Sequence, residues 1–308
     1  MSGIAFKILS ALVFTLMSAS VKLVGSDYPT GQLVFFRSAF AIAPLLVWLT
    51  WRGDLVPAIR TRNPGGHVLR SVIGTTGMFC GFAALSLLPL PDATAIGYAA
   101  PLITVVLAAL ILKERVRAYR WAAVGLGFVG VLIMLSPHLD AGALAGGLSA
   151  GPALGALFGL AGACCAAGAT IQIRRLTATE RTGAIVLYFS LLSAAIGLLT
   201  SLLGWTMPSP RDFLLLTLIG VLGGVGQILL TLSYRYADAS LVAPFDYTTM
   251  IWAILIGFFL FGQMPDQAVV AGAAVVALAG MFVLWRERQL GLIRVREVEA
   301  ASQRPAGG

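Results

Sequence analysis

Long apolar runs, each close to the length needed to cross a bilayer, alternate along this chain with short polar breaks. The runs fall at about 4–24, 31–50, 70–89, 92–112, 119–136, 152–173, 183–204, 213–233, 239–261 and 267–285. A helix rising 1.5 Å per residue needs about 20 such residues to span a hydrocarbon core roughly 30 Å thick. The breaks carry turn chemistry: Asp27-Tyr28-Pro29, Asn63-Pro64-Gly65-Gly66, Pro89-Leu90-Pro91, Met207-Pro208-Ser209-Pro210 and Met264-Pro265-Asp266. A Gly/Ala/Ser-rich stretch, 138–151, separates the first five runs from the last five. The run Ile8–Val24 lacks a strongly basic leader, and its cleavage pattern around Ser18-Ala19-Ser20 is weak, so it reads as the first span. The pattern predicts an all-α membrane protein with ten transmembrane helices.

Composition agrees. Only 11% of the 308 residues are charged and 58% are hydrophobic, with a mean hydropathy of +0.91. A soluble surface needs about a quarter charged residues, so the surface here is built for lipid. The net charge of +8 does not mark a nucleic-acid face, because the basic residues stand in short clusters between spans. Lys7, Arg52, Arg60, Arg62 and Arg70, then Lys113, Arg115, Arg117 and Arg120, then Arg174, Arg175 and Arg181, then Arg235, and finally Arg286, Arg288, Arg294, Arg296 and Arg304 all fall at the start or in every second loop. They make 18 of the 21 basic residues. The alternate loops hold Arg211 alone, and Lys22 and Arg37 lie within spans. By the positive-inside rule both termini are cytoplasmic. The cysteines, Cys80, Cys164 and Cys165, all lie in apolar runs and form neither a disulfide framework nor a zinc spacing.

The chain also repeats itself. Thr30-Gly31 with Val34, Phe36 and Ser38 is echoed by Thr182-Gly183 with Val186, Tyr188 and Ser190, which sets Phe189 opposite Arg37. Leu85-Ser86 and Asp92-Ala93-Thr94 return as Leu232-Ser233 and Asp238-Ala239-Ser240. Five spans per copy is an odd number, so the second copy enters the membrane inverted. The charges agree: the basic loop Lys113–Arg120 corresponds to Gly262–Gln267, which has no basic residue. The expected organisation is a first five-helix repeat at 1–137, a linker at 138–151, an inverted repeat at 152–286 and a cytoplasmic tail at 287–308. Inverted repeats recur in secondary transporters, with the solute held near the midplane between the halves.

Phe36-Arg37-Ser38 and Ala243-Pro244-Phe245-Asp246-Tyr247, with copy ends Leu110-Ile111-Leu112-Lys113-Glu114-Arg115 and Phe259-Leu260-Phe261-Gly262-Gln263-Met264-Pro265-Asp266, resemble the EamA-type branch of the drug/metabolite transporter superfamily. The resemblance runs from span one to Trp285. It implies a multi-pass transporter of the inner membrane that works without ATP hydrolysis. A glutamate usually ends the fourth helix of each repeat in this family; Glu114 fits and Gln263 departs. The branch includes carriers for riboflavin and S-adenosylmethionine uptake and for amino-acid export. The expected cargo is therefore a cofactor-like or amino-acid-like metabolite, with export of amino acids or toxic metabolites as the alternative direction.

An ionisable side chain within a span costs about 3 kcal/mol or more, so each one asks for a reason. Arg37 lies about 10 Å along its span, too deep to snorkel, and its guanidinium suits a carboxylate, phosphate or ring carbonyl. Asp246 follows Pro244 in span nine. It could bind an amine, carry a coupling proton, or neutralise Arg37 if the helices tilt. Lys22 is near enough to a span end to snorkel. Phe36, Tyr98, Tyr188, Phe245, Tyr247 and Trp252 offer rings for a planar or apolar solute, and Gln32, Gln172 and Gln227 offer weaker polar contacts. The expected partners are a small-molecule solute and the lipid bilayer. Nothing calls for a cofactor, metal or nucleic acid. The two histidines, His67 and His138, are placed in loops, so no catalytic constellation at membrane depth can be assembled, and no charge ring or filter segment marks a channel.

Overall fold

The computed structural model describes residues 2–25, 27–111, 113, 117–138, 151–176, 179–236 and 243–302. Among the described residues every regular element is helical, with no strand. The helices are α1 (Ser2–Val24), α2 (Thr30–Trp51), the short α3 (Leu55–Ile59), α4 (Pro64–Leu87), α5 (Leu90–Gly97), α6 (Ala99–Ile111), α7 (Ala118–Leu135), α8 (Pro152–Leu176), α9 (Thr182–Leu199), α10 (Pro210–Tyr236), α11 (Thr248–Phe261) and α12 (Gln267–Ser302). Single 3-10 turns cover Ser136–His138, Thr200–Leu203 and Ala243–Tyr247. Among the described residues eight segments are long and apolar enough to span a membrane. The places expected for spans nine and ten hold shorter apolar helices, Phe245–Phe261 and Gln267–Val283.

Two boundaries differ from the hydropathy pattern for clear local reasons. Helix α4 begins at Pro64 rather than near residue 70. The Asn63 side chain accepts a hydrogen bond from the Gly66 N–H (2.9 Å), and proline at the first helical position has no N–H to leave unsatisfied. The fourth span is broken at Tyr98 into α5 and α6. Pro101, four residues beyond Gly97, cannot donate to the Gly97 carbonyl and its ring crowds that position.

Loop contacts sort the helix termini into two ends. At the far end, Lys22 donates to the Leu85 and Leu88 carbonyls, the Tyr28 hydroxyl to Asp212, the Gln32 amide to the Thr206 carbonyl, and the Leu90 N–H to Gln263 Oε1. At the arginine-rich end, Lys7 pairs with Asp246, Phe6 packs on Tyr236, and Glu180 receives the Thr61–Asn63 turn.

The packing contacts come in matched sets. Helix α1 packs on α10 as α4 packs on α8; α2 packs on α10 as α4 packs on α9; α1 packs on α11 as α6 packs on α8. The pairs α2–α9, α5–α11 and α7–α12 also pack on each other. Close approach depends on glycine. A Cβ at Gly272 would stand 2.4 Å from the Gly130 carbonyl, and one at Gly220 would stand 2.6 Å from the Phe36 carbonyl. The outward face is apolar: Val47, Leu110, Leu132, Leu214, Phe259 and Leu278 are all well exposed, as a lipid-facing surface requires.

Candidate functional site

Arg37 lies seven residues into α2 and is buried. Its guanidinium carbon is 5.6 Å from the centroid of the Phe189 ring on α9. Helix α10 comes close beside it because position 223 is glycine; a Cβ there would lie 3.2 Å from Arg37 Nε. Arg37, Phe189, Ser190, Gly224 and Gln227 border a cavity of about 10 Å3, room for roughly one water.

A second guanidinium reaches the same ring. Arg70 on α4 has its guanidinium carbon 3.5 Å from the Phe189 centroid, over the face of the ring. It is buried, and its Nε and Nη1 have no hydrogen-bond partner. Gly74 makes the room, since a Cβ there would lie 2.3 Å from Nη1. Elsewhere on the helices that carry Arg37, Arg70 and Phe189, Thr75 and Ser193 share a 2.7 Å hydrogen bond, and the Ser38 and Ser71 hydroxyls have no partner. Among the described residues the ion pairs are Lys7–Asp246, Arg52–Asp54, Arg181–Asp54, His67–Glu180 and His138–Asp92, and neither Arg37 nor Arg70 takes part in one.

Sequence reasoning placed Arg70 in the loop before span three and so missed it. The Asn63-Pro64 capping signature was the signal that moves it inside.

Asp246 does not neutralise Arg37. It sits half-exposed on the 3-10 turn Ala243–Tyr247, with Oδ1 2.5 Å from the buried Lys7 Nζ. Arg37 neighbours Met17 instead, ten residues and so about 15 Å further along α1 than Lys7. Tyr247 meets Tyr98 edge-on, with centroids 5.3 Å apart, and the Tyr98 hydroxyl lies 2.6 Å from Thr249 Oγ1. Tyr98 stands at the break between α5 and α6 and Tyr247 immediately before α11, sixteen residues before Glu114 and Gln263 respectively. Phe36 packs into an aromatic cluster with Phe35, Phe40 and Phe213. Tyr188 stacks at 4.7 Å on His67 and donates to the Ile59 carbonyl. Phe245 is partly buried on the Asp246 turn, and Trp252 has a buried Nε1 with no acceptor. The expected set thus divides into an Arg37 locus, an Asp246–Tyr247–Tyr98 locus, and residues engaged in packing.

Other polar residues have structural tasks. Lys22, half-buried, caps the last carbonyls of α4, which have no partner in their own helix. Gln263 accepts from the first N–H of α5, so a neutral amide serves there; Glu114 lies outside the described residues. The histidines are not in open loops: His67 is buried in the first turn of α4, and His138 contacts Asp92 at 3.1 Å.

At the arginine-rich surface, Val56, Pro57, Arg60, Arg62, Glu180 and Arg181 line a cleft of about 430 Å3. Burial alone would raise the Glu180 carboxyl. The Arg62 and Asn63 N–H groups, the Thr61 hydroxyl and the charge of His67 outweigh it and hold the group below the ordinary glutamate range. A depressed native pKa gives stability that is present above the unfolded pKa and is lost as pH falls through the native one. The melting temperature of the wild-type protein should therefore drop as pH falls below the usual glutamate value, and Glu180→Gln should flatten that dependence in a pH series of melts.

The comparisons with known proteins follow the same lines. The model of the EamA-like transporter family matches residues 1–136 and again 153–286. The S-adenosylmethionine uptake transporter of Rickettsia prowazekii (strain Madrid E) is 26% identical, over 94% of each chain. The pseudopaline exporter of Pseudomonas aeruginosa (strain UCBPP-PA14) is 30% identical over 90% of this chain and 94% of its own. The riboflavin transporter of Rhizobium johnstonii is 33% identical over 93% and 89%. A crystal structure superposes with a TM-score of 0.65 at 20% identity, covering 100% of this chain and 99% of the other, a likeness of fold.

Proposed function

Because the chain belongs to the EamA-like transporter family, we propose that it carries a small organic metabolite across the cytoplasmic membrane by alternating access, as ten spans in two inverted halves with both termini cytoplasmic. The halves are 1–137 and 152–286, joined by 138–151 and followed by a tail at 287–308. The observation that carries this reading is the matched packing. Exchanging α1, α2, α4, α5–α6 and α7 for α8, α9, α10, α11 and α12 turns every contact pair described above into another of the set. Two copies in opposite orientation can then swap conformations, so that the inward-open and outward-open states are close in energy.

Tyr98 and Tyr247 support the same reading, since they occupy equivalent places and touch each other. The Lys7–Asp246 pair lies at the arginine-rich end and closes that side over the interior. Relatives bearing this fold are named for both uptake and export, so direction follows from the gradients rather than from the scaffold.

Counterflow tests the proposal. Proteoliposomes loaded with unlabelled S-adenosylmethionine, riboflavin or an amino-acid mixture and given trace label outside should accumulate label transiently. A flux linear in concentration and indifferent to solute on the far side would instead identify a pore. Single cysteines at Ala118 and Met264 in a background without native cysteines should label from opposite faces; labelling from one face would end the inverted arrangement.

A further inference from the structure

Arg37 and Arg70 present a problem that packing alone does not answer. Buried cations are normally paired with acids, because an unpaired charge away from water is strongly unfavourable. Here two guanidinium groups share one phenyl ring, at 3.5 and 5.6 Å from its centroid, and neither has a carboxylate. Arg70 is the more telling of the two. Its Cα is six residues, about 9 Å, from the start of α4, so a long side chain could turn back toward water. Instead it runs inward over Gly74 and leaves Nε and Nη1 without acceptors.

A ring face is a weak partner for a desolvated cation, because it offers only the attraction of its π cloud and no hydrogen-bond acceptor in the ring plane of the guanidinium. Oxyanions are far better partners, since guanidinium forms two parallel, charge-assisted hydrogen bonds to them. Resting on the transport reading above, we propose that Arg37 and Arg70 together bind an organic oxyanion, carboxylate or phosphate, as the transported solute, and that Phe189 holds its place when the site is empty. The ring is near both cations and also borders the small cavity beside Arg37. Rotation of Phe189 out of that position enlarges the cavity and gives both guanidinium groups access to one anion.

The test is binding to the purified full-length protein in detergent at fixed ionic strength, read as thermal shift and apparent Kd. The probes are malate, citrate and glycerol 3-phosphate, with glycerol as the neutral control and choline as the cationic one. The expected result is saturable protection by one of the anions and none by glycerol or choline. Malate or citrate against glycerol 3-phosphate distinguishes carboxylate from phosphate. Arg37→Gln and Arg70→Gln should each weaken binding at least about 30-fold, the loss expected when one partner of a buried charge pair is removed. Both variants should melt no lower than wild type without ligand, and Arg70→Lys should retain part of the affinity. Phe189→Leu should keep the response, with affinity equal to or tighter than wild type. Equal protection of wild type and Arg70→Gln by every anion would overturn the proposal, as a bulk salt effect. Protection only by glycerol or choline would overturn it too, while counterflow in the same preparation would leave the transport reading standing. Absence of both protection and counterflow would remove the two together.

Discussion

Replacing Arg37 with alanine is expected to abolish transport while the chain still inserts and folds. Insertion should become easier, because an arginine at helix centre opposes it by about 2.5–3.5 kcal/mol on the insertion scale and alanine does not. Folding loses little, since Arg37 makes no ion pair and its described neighbour is an aromatic ring. With Arg37 meeting the solute as proposed, the rate at low solute should fall at least about 30-fold, by the arithmetic of a stranded buried partner. The measurement is the initial rate of uptake into proteoliposomes, normalised to monodisperse protein recovered. Undiminished transport by Arg37→Ala would remove Arg37 from the site. Lys22→Ala makes the instructive contrast. Lys22 caps α4, so its loss should lower thermal stability before it alters the choice of solute.

Gly272→Val should damage the fold itself. Helices α7 and α12 touch backbone to backbone where Gly130 and Gly272 cross. A Cβ at 272 would lie 2.4 Å from the Gly130 carbonyl and 2.6 Å from Met134 Cγ. The Met134 side chain can shift, but a helix carbonyl cannot, so the two helices must part. Overpacking of this kind costs about 1–3 kcal/mol. It also opens the van der Waals contacts that hold helices together where no hydrophobic effect drives them. The melting temperature should fall by several degrees. Gly125→Ala in the same α7 is the control, because a Cβ there meets nothing within 4 Å and alanine favours the helix by about 1 kcal/mol. A Gly272→Val protein as stable as wild type would mean the crossing is looser than the contacts indicate.

The contrast between Arg37 and Arg70 shows what the sequence could and could not reveal. Arg37 is legible because apolar residues surround it on both sides, so hydropathy alone places it at depth. Arg70 follows the polar stretch Arg60–His67, and averaging over that stretch moves the span boundary past it. The helix start is decided by one cap, the Asn63 side chain on the Gly66 N–H, which a window of twenty residues dilutes. The break at Tyr98 is missed for a similar reason: Pro101 sits in an apolar run that reads as continuous. Pairing is a separate matter. Depth along two helices brought Arg37 and Asp246 together on paper, yet Asp246 lies beside Lys7. Tilt and rotation decide such pairs, and neither is written in linear spacing. The family resemblance supplied the scaffold, and the comparisons support it over both halves. The shared ring at Phe189 was open only to the structure.

Phe189 stands at the position in α9 that Arg37 holds in α2, and the two side chains face each other. On the repeat reading, they sit where the molecule's approximate dyad passes. An ancestor assembled from two identical subunits would have had to place like against like there, arginine opposing arginine or phenyl opposing phenyl. Joining the halves in one polypeptide removes that obligation. A cation can then rest on an aromatic face at a point where strict symmetry would have forced repulsion or forfeited the charge. On that reading, duplication followed by divergence would give a self-facing position that is chemically two-sided, which no homodimer of either half could contain.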